Sequence, residues 1–270
     1  MTKLLGVIGD PIAHSLSPLI HNGWLQDMGF NATYEAMQVP PGEFNKALKT
    51  LENRDCIGVN VTLPHKGAAL QAASEVSETA RTIGAANTLT YLGRSQWRAD
   101  NSDVPGFIEA LGQLKPETDR VVILGAGGSA RAIVHALSAS GVSHTILNRT
   151  VSKAQDLASE LGCNIAQYGS LDQYKDYIDS ATIVINTTSM GHAGELLDLG
   201  DGSDRLFFDI SYGKISAPQL QLARDRGWRV KDGLTMLVAQ AAFSFEIWFG
   251  EMPDMESGLK RCHAALEAAS

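Results

Sequence analysis

The stretch Gly125-Ala126-Gly127-Gly128-Ser129-Ala130 constrains the fold more than any other part of the sequence. It follows the short apolar run Val121 to Leu124 and precedes a segment with helical periodicity. In this G-x-G-x-x-(G/A) spacing, Gly125 permits a tight turn, Gly127 lets the backbone approach a pyrophosphate, and Ala130 allows close packing. The pattern predicts a strand, a dinucleotide-binding turn and a helix whose N-terminus favours an anion. The alternative is a tight turn without a ligand.

The end of the next predicted strand, His144 to Asn148, indicates which dinucleotide such a turn binds. An NAD site usually has Asp or Glu there, whereas this sequence has Asn148-Arg149-Thr150, with Lys153 one turn later. Arg149 can make charge-assisted contacts to a 2′-phosphate, and the neighbouring amide and hydroxyl add donors. We therefore predict NADP as the cofactor. Alternatively these are surface residues, with Thr150 serving only as a helix N-cap.

Alternating short apolar runs and helical segments predict an α/β fold with two domains. The N-terminal series consists of a strand at 4–8, a helix at 18–28 with Ser17 as N-cap, a strand at 32–38, a helix at 41–51, a strand at 57–61 and a hairpin around Gly93. The second series, from Arg120 to Lys231, predicts a parallel Rossmann sheet. The helices Thr235 to Phe249 and Met255 to Ala268 have no following strand, so we expect them to return to the first domain. The predicted substrate-binding and catalytic domain is therefore 1–103 plus 236–270, and the NADP-binding domain is 104–235.

The composition argues against several classes of partner. Twenty-two basic and 30 acidic residues give a net charge of −8, which is unlike a nucleic-acid-binding surface. The sequence has no run of 18 apolar residues, and its apolar start is too short for a signal peptide. Cys56, Cys163 and Cys262 are widely spaced and show no metal-ligand pattern, which predicts reduced thiols in a cytoplasmic protein without a bound metal. We expect a monomer or a homodimer that acts on a small molecule.

The run Gly58 to Lys66 is the most informative stretch for chemistry. The predicted buried strand at 57–61 contains the Asn60 amide near its end, and the loop that follows contains the Thr62 hydroxyl and the Lys66 ammonium. Active sites of α/β sheets collect at the carboxyl ends of strands. Lys66 is thus a candidate catalytic residue, although a solvated lysine that opens a helix would have the same local sequence.

Similar side chains recur at two other strand ends. Asn87 stands before a predicted strand, and Asp103 follows the hairpin, where it could instead be an N-cap. The loop after the first strand contains the hydroxyls of Ser15 and Ser17. Neutral donors of this kind suit a carboxylate or polyol substrate.

Taken together, these motifs resemble the shikimate dehydrogenase family. The resemblance extends in order along nearly the whole chain and includes Gly9-Asp10-Pro11, His14 to Pro18, His21-Asn22, Asn60 to Lys66, Asn87-Thr88-Leu89, Asn101-Ser102-Asp103, the glycine turn, Asn148-Arg149-Thr150, Asn186 to Ser189 and Asp232 to Gln240. A series of separated motifs is more specific than any one of them.

The resemblance implies NADPH-dependent, reversible reduction of 3-dehydroshikimate to shikimate, a step of aromatic amino acid biosynthesis. It implies that Lys66 and Asp103 are the catalytic pair. The implied substrate-binding residues are Ser15, Ser17, Asn60, Thr62, Asn87, Tyr212 and Gln240. Besides the turn and Asn148 to Lys153, the implied cofactor-binding residues are Asn186, Thr187, Thr188, Ser189, Gly233 and Met236. Whether Lys66 transfers a proton or mainly supplies an electrostatic field is left open by the sequence.

The sequence departs from the family pattern at three places. Ser102 replaces a usual Thr, Thr235 replaces a common Gly, and Gly213-Lys214 replaces a frequent Tyr-x-Pro pattern after Tyr212. By the resemblance, the last change lies in a loop that borders the substrate, and the sequence leaves the preference for ring substituents open. The alternatives are a quinate/shikimate dehydrogenase or a branch acting on another cyclic polyol acid, a methylene-tetrahydrofolate dehydrogenase, and a non-catalytic NADP-binding sensor.

Overall fold

A computed structural model of the protein describes residues 2–161, 165–203 and 205–268. Within these residues the strands are β1 (Lys3–Gly9), β2 (Ala32–Gln38), β3 (Cys56–Val61), β4 (Glu75–Val76), β5 (Thr88–Gly93), β6 (Gln96–Asp100), β7 (Arg120–Leu124), β8 (Ser143–Asn148), β9 (Ala166–Ser170), β10 (Ile183–Asn186), β11 (Leu206–Asp209) and β12 (Arg229–Lys231).

The helices alternate with these strands along the chain. They are α1 (Ser17–Asp27), α2 (Phe44–Glu52), α3 (Lys66–Ala72), α4 (Glu78–Ile83), α5 (Asp103–Leu111), α6 (Gly128–Ala139), α7 (Val151–Glu160), α8 (Tyr174–Ile178), α9 (Ala217–Asp225), α10 (Leu234–Phe249) and α11 (Met255–Ala268). Short 3₁₀ helices lie at Leu171–Gln173 and Met190–Ala193. Among the described helices, none combines the length and apolar character needed to cross a membrane.

The chain divides into two compact units, 1–106 with 237–269 and 107–236. The first unit contains a sheet with the strand order β2-β1-β3-β5-β6-β4. The strands β2, β1 and β3 are parallel, as the sequence predicts, and β5 and β6 form an antiparallel hairpin beside them. The side chains of Leu5, Val59 and Leu89, which lie in this sheet, are buried.

The C-terminal helices pack on the first unit, as predicted. Trp24 in α1 donates its indole N–H to the carbonyl of Asp254, just before α11, at 2.8 Å. Arg261 in α11 forms an ion pair with Asp27 at 2.6 Å. Phe245 of α10 contacts Trp24 edge to face, with ring centroids 5.9 Å apart. These contacts return the end of the chain to its beginning.

The second unit contains a wholly parallel sheet with the order β12-β11-β10-β7-β8-β9. Counted from β7 as the first strand, this is the doubly wound order 3-2-1-4-5-6 of a Rossmann domain. Ile123, Val184 and Phe207 in its central strands are buried. The predicted α/β fold class is thus confirmed, and the order reverses between β7 and β10.

Two local predictions were wrong. Leu16 holds the N-cap position of α1, so Ser17 lies inside the helix, and its hydroxyl hydrogen-bonds Tyr34 instead of capping. Helix α2 begins at Phe44 instead of Pro41, because Gly42 has a φ of +89°, which no right-handed helix contains.

Candidate functional site

Lys66 and Asp103 form an ion pair in the first unit. Lys66 is the first residue of α3, and Asp103 is the first residue of α5. The Lys66 ammonium donates to Asp103 Oδ2 at 2.5 Å, with side chains only 15% and 8% exposed. Lys66 does open a helix, yet it is not a solvated surface charge. Partial burial strengthens the attraction between the two charges.

Asn87 fixes the other oxygen of the carboxylate. Its amide nitrogen donates to Asp103 Oδ1 at 2.8 Å and to Ser102 Oγ at 2.9 Å. Its oxygen accepts from the backbone N–H of Ser102 at 2.8 Å. Asp103 therefore has both oxygens bound, one to an ammonium and one to an amide.

Gln240 joins the same cluster from α10. Its Oε1 lies 3.4 Å from Asn87 Nδ2, and its Nε2 donates to the carbonyl of Leu237 at 2.7 Å. A Cβ on Gly106 would lie 2.8 Å from the backbone nitrogen of Gln240. The absence of a side chain at Gly106 thus lets α5 and α10 approach closely, which places Gln240 beside Asn87.

Asn60 in β3 is held by a second group of buried side chains. Its Oδ1 accepts from the Tyr34 hydroxyl at 2.8 Å, and its Nδ2 donates to Ser244 Oγ at 2.8 Å. Burial raises the pKa of Tyr34 well above its ordinary value, and the hydrogen bond with Ser17 opposes that shift. Ser17 and Asn60, both predicted substrate residues, therefore meet at one phenol. Ser15 Oγ accepts from the Ser17 backbone N–H at 3.2 Å.

Thr62 lies where the C-terminal ends of the parallel strands β1 and β3 meet. Its backbone N–H donates to the Ile8 carbonyl at 2.9 Å, and the backbone N–H of Asp10 donates to the Leu63 carbonyl at 3.0 Å. These bonds hold the loop after β1 beside the loop before Lys66. Thr62 is half-buried there.

The hydroxyl of Ser244 connects the two groups, and sequence reasoning missed it. It lies 2.9 Å from Ser102 Oγ and 2.8 Å from Thr88 Oγ1, and it donates to the Gln240 carbonyl at 3.0 Å. A signal existed, because Ser244 follows Gln240 by four residues on an apolar helix and shares its face. Tyr34 was also missed, and strand alternation provides no signal for its role.

The second unit contains the predicted dinucleotide turn. Gly125 has a φ of +108°, and a Cβ there would overlap with Thr187 Oγ1. By contrast, a Cβ on Gly127 would meet open space. The turn leads into α6, whose first residues are Gly128, Ser129 and the fully buried Ala130. Open space above the turn and small residues at the helix start fit a pyrophosphate.

The end of β8 presents exposed polar side chains. Arg149, Thr150 and Lys153 are exposed, and Asn148 Nδ2 donates to the Thr150 carbonyl at 2.9 Å. Thr150 holds the N-cap position of α7, but its side chain makes no capping bond. The Arg149 guanidinium is thus available to a phosphate, so these residues fit NADP.

The remaining predicted cofactor residues follow β10 and β12. Asn186 ends β10 beside Asp209 at the end of β11, and Thr187 and Thr188 are half-buried after it, whereas Ser189 is exposed. Gly233 is so close to the Ile210 carbonyl that a Cβ would overlap with it. Met236 is buried, and Tyr212 is half-buried after β11. Tyr212 belongs to the second unit, whereas the other predicted substrate residues belong to the first.

The cysteines lie apart from these residues. Cys56 and Cys262 are free and buried, and burial raises the pKa of their thiols to about 12 and about 11. Cys163 lies outside the described residues. Within the described parts of the chain, no group of three or more His, Cys, Asp or Glu side chains is arranged to hold a metal ion.

Comparison with known proteins identifies relatives along the whole chain. Residues 7–89 match the shikimate dehydrogenase substrate-binding domain, residues 109–214 match the shikimate/quinate 5-dehydrogenase family, and residues 233–260 match the shikimate 5′-dehydrogenase C-terminal domain. The shikimate dehydrogenase (NADP⁺) of Hyphomonas neptunium is 48% identical over 272 residues, covering 100% of both chains.

Solved structures give the same family. Shikimate dehydrogenase from Aquifex aeolicus superposes with a TM-score of 0.88 at 32% identity, covering 97% of each chain. Shikimate 5-dehydrogenase from Thermus thermophilus, in complex with NADP(H) and shikimate, gives a TM-score of 0.83 at 32% identity, covering 98% of this chain and 100% of that one. The resemblance predicted from the sequence is therefore confirmed: this chain belongs to the shikimate dehydrogenase family of NADP-dependent oxidoreductases.

Proposed function

We propose that this protein catalyses the reversible, NADPH-dependent reduction of 3-dehydroshikimate to shikimate in aromatic amino acid biosynthesis. The observation that carries the proposal is the Lys66–Asp103 pair, 2.5 Å apart and largely withdrawn from water, within the same unit as Asn60, Asn87 and Gln240. Family membership supplies the chemistry for which this pair is suited.

In this proposal Lys66 acts on the ketone oxygen. When bound, NADPH supplies the hydride that reduces the C3 ketone. Negative charge then grows on the ketone oxygen, and the ammonium of Lys66 stabilises that charge and has a proton to donate. Asp103 orients the ammonium through its Oδ2, while Asn87 holds the carboxylate in place through Oδ1.

Neutral donors would bind the rest of the substrate. Hydroxyls and amides can hold a carboxylate and ring hydroxyls without competing with Lys66 for negative charge. The residues that we assign to this role are Ser15, Ser17, Asn60, Thr62, Asn87, Tyr212 and Gln240. The first unit would thus bind the substrate.

The second unit would hold the cofactor. The turn Gly125 to Ala130 would receive the pyrophosphate, and Asn148, Arg149, Thr150 and Lys153 would surround the 2′-phosphate. Asn186 to Ser189, Gly233 and Met236 would border the nicotinamide side. We further propose a cytoplasmic protein, active as a monomer or homodimer, whose net charge of −8 disfavours nucleic acid as a partner.

The first experiment follows the absorbance of NADPH mixed with 3-dehydroshikimate. We expect oxidation of NADPH by the wild-type protein, and slower reactions with NADH or in the reverse direction with quinate and NADP⁺. Lys66→Ala should lower kcat roughly 100- to 10,000-fold with little change in KM, because its contact strengthens in the transition state. Lys49→Ala, a change at an exposed lysine of α2, is the matched control. Wild-type turnover in Lys66→Ala would refute the assignment, and faster quinate oxidation would place the protein in the quinate branch.

Cofactor choice is tested at Arg149. Arg149→Ala should weaken NADPH binding roughly tenfold to a hundredfold and leave NADH binding nearly unchanged, because only NADPH has the phosphate that the guanidinium contacts. Arg224→Ala, at an exposed arginine of α9, provides the control. An unchanged ratio of the two affinities would contradict the phosphate contact.

A further inference from the structure

Asp209 is a buried carboxylate to which the proposed chemistry assigns no role. It ends β11 and is 2% exposed. Its Oδ2 accepts from Asn186 Nδ2 at 2.9 Å, and its Oδ1 accepts from the Ser211 backbone N–H at 2.9 Å. Both donors are neutral. Burial raises the pKa of Asp209, and the hydrogen bonds from Ser211 and Asn186 oppose that shift.

The hydrogen bonds continue from Asp209 into the loop after β10. Asn186 Oδ1 accepts from the Thr188 backbone N–H at 3.1 Å and from the Thr188 hydroxyl at 2.7 Å. Thr188 Oγ1 in turn accepts from the Met190 N–H at 3.4 Å. An ionised carboxylate only accepts, so Asn186 must turn its nitrogen toward Asp209 and its oxygen toward Thr188. The carboxylate thereby sets the orientation of Asn186 and the course of residues 187–190.

This loop stands against the glycine turn. Both the backbone N–H and the hydroxyl of Thr187 donate to the Leu124 carbonyl at 2.8 Å. A Cβ on Gly125 would overlap with Thr187 Oγ1. The strand order reverses between β7 and β10, and ligands of open α/β sheets bind in the crevice at that reversal.

We propose that Asp209 is a positioning residue of the dinucleotide site, which orients Asn186 so that residues 187–190 lie beside the glycine turn in the conformation that receives the cofactor. The inference rests on the proposed function for the identity of the ligand, NADP⁺. Asp209 acts through Asn186 and not by touching the ligand.

Exchanging the two side chains tests the inference. In Asp209→Asn two amide nitrogens face each other, and in Asn186→Asp two carboxylates face each other, so either single change breaks the chain of hydrogen bonds. The double variant Asn186→Asp/Asp209→Asn restores it: the carboxylate at position 186 accepts from the amide at position 209 and from Thr188. The amide oxygen at position 209 still accepts from Ser211. Asp225→Asn, an exposed acid of α9, is the control for loss of charge.

The measurements are calorimetric titrations of NADP⁺ into each whole protein, together with KM for shikimate. We expect each single variant to bind NADP⁺ about tenfold more weakly, with the shikimate KM within about twofold of wild type. The double variant should recover to within about threefold. Asp225→Asn should match the wild type.

Three results would overturn the inference: wild-type NADP⁺ affinity in Asp209→Asn, a double variant as weak as the single ones, or an Asp209→Asn protein that fails to fold. The last would mean that the carboxylate is needed by the unit as a whole and not by the site. If the wild-type protein itself bound no NADP⁺, the proposed function would fail as well. Wild-type binding with an indifferent Asp209→Asn would remove this inference alone.

Discussion

The side chain of Asn87 has a single orientation that satisfies its neighbours. The backbone N–H of Ser102 can only donate, so it must face the amide oxygen, and the carboxylate of Asp103 must face the amide nitrogen. One amide therefore determines how Asp103 presents its second oxygen to Lys66. A neutral residue can in this way fix the orientation of a charged pair without contributing charge.

A single small substitution at Ser244 should disturb this network. It is fully buried, and Ser244→Ala would remove the shortest hydrogen bond of Asn60 Nδ2 and one of the hydrogen bonds of Ser102 Oγ. We expect the free energy of unfolding to fall by about 1–3 kcal/mol and the substrate KM to rise, with NADP⁺ affinity unchanged. Urea unfolding and steady-state kinetics measure both effects. Ser140→Ala, which removes a hydroxyl bonded to Ala136 in α6, is the control and should cost less. Equal losses in the two variants would contradict the prediction.

His21 makes the stability of the first unit depend on pH. Its ring stacks on Tyr34 with centroids 4.1 Å apart, and burial lowers its pKa to about 3, against a weaker opposing effect of Asn60. Between that pKa and about 6.5, the unfolded chain binds a proton that the folded protein excludes. The stability contributed by neutral His21 is therefore complete above about pH 6.5 and falls by up to about 1.4 kcal/mol per pH unit below it.

His21→Phe should remove this dependence while keeping an aromatic ring against Tyr34. We expect the free energy of unfolding of the wild type to fall more steeply than that of the variant between about pH 6 and pH 4. Burial lowers the pKa of His144 also, but its contribution is common to both proteins and cancels in the difference. Parallel curves in urea titrations across this range would show that His21 titrates normally.

At the scale of elements, a substitution in the glycine turn should change the affinity for the cofactor without changing the stability of the fold. Gly127 has a φ of −88° and a ψ of −171°, an extended conformation that alanine adopts readily, and a Cβ there would meet open space. Gly127→Ala should therefore leave the unfolding temperature unchanged and weaken NADP⁺ binding about tenfold or more, because the methyl group would occupy the approach of the pyrophosphate. Calorimetry and thermal unfolding of the ligand-free protein test both halves. Unchanged affinity would argue that this turn is purely structural.

The strength of the local pattern explains which elements the sequence predicts. The bounds of α10, a long apolar-periodic segment, and of β7, a short apolar run, were predicted to within two residues. The two-residue strand β4 was missed, because two residues are too few for a periodic signal. Helix α4 was missed although Ser77 caps it by accepting from the Ala80 N–H and Gly84 ends it with a φ of +73°. Those two capping signals were present in the sequence.

Tertiary contacts decide the turn between β5 and β6. Arg94 and Ser95 have φ values of +51° and +59°, the pattern of a type I′ turn, without the Asn or Gly that such turns favour. The Ser95 hydroxyl donates to Glu52 of α2 at 2.7 Å, and the Tyr91 hydroxyl accepts from the Ser95 N–H at 3.3 Å. The contact with Glu52, remote in sequence, holds this unfavourable turn against α2, so the local pattern predicted the hairpin but not its type.

At the scale of the molecule, the two units have separate sheets and cores, so each ligand should stabilise its own unit. With NADP⁺ at a hundred times its Kd, we expect the second unit to gain about 2.7 kcal/mol. Native-state hydrogen exchange should then slow in β7 and β10 more than in β1 and β3, and shikimate should give the reverse pattern. If NADP⁺ slowed exchange mainly in β1 and β3, the assignment of the cofactor to the second unit would be wrong.

The sequence by itself determined the two alternating α/β series, the glycine turn, the lack of a carboxylate after β8 and the chemical types of the candidate side chains. Each of these is written in short-range patterns of spacing and polarity. No local pattern brings Lys66 to Asp103, 37 positions away, although the family resemblance implied that pair, and only the tertiary structure decided that Ser244 binds Asn60, 184 positions away. It also decided that Asp209 orients Asn186. Periodicity records which face of an element is buried, but which polar atoms meet depends on how sheets and helices pack, and no local pattern encodes that.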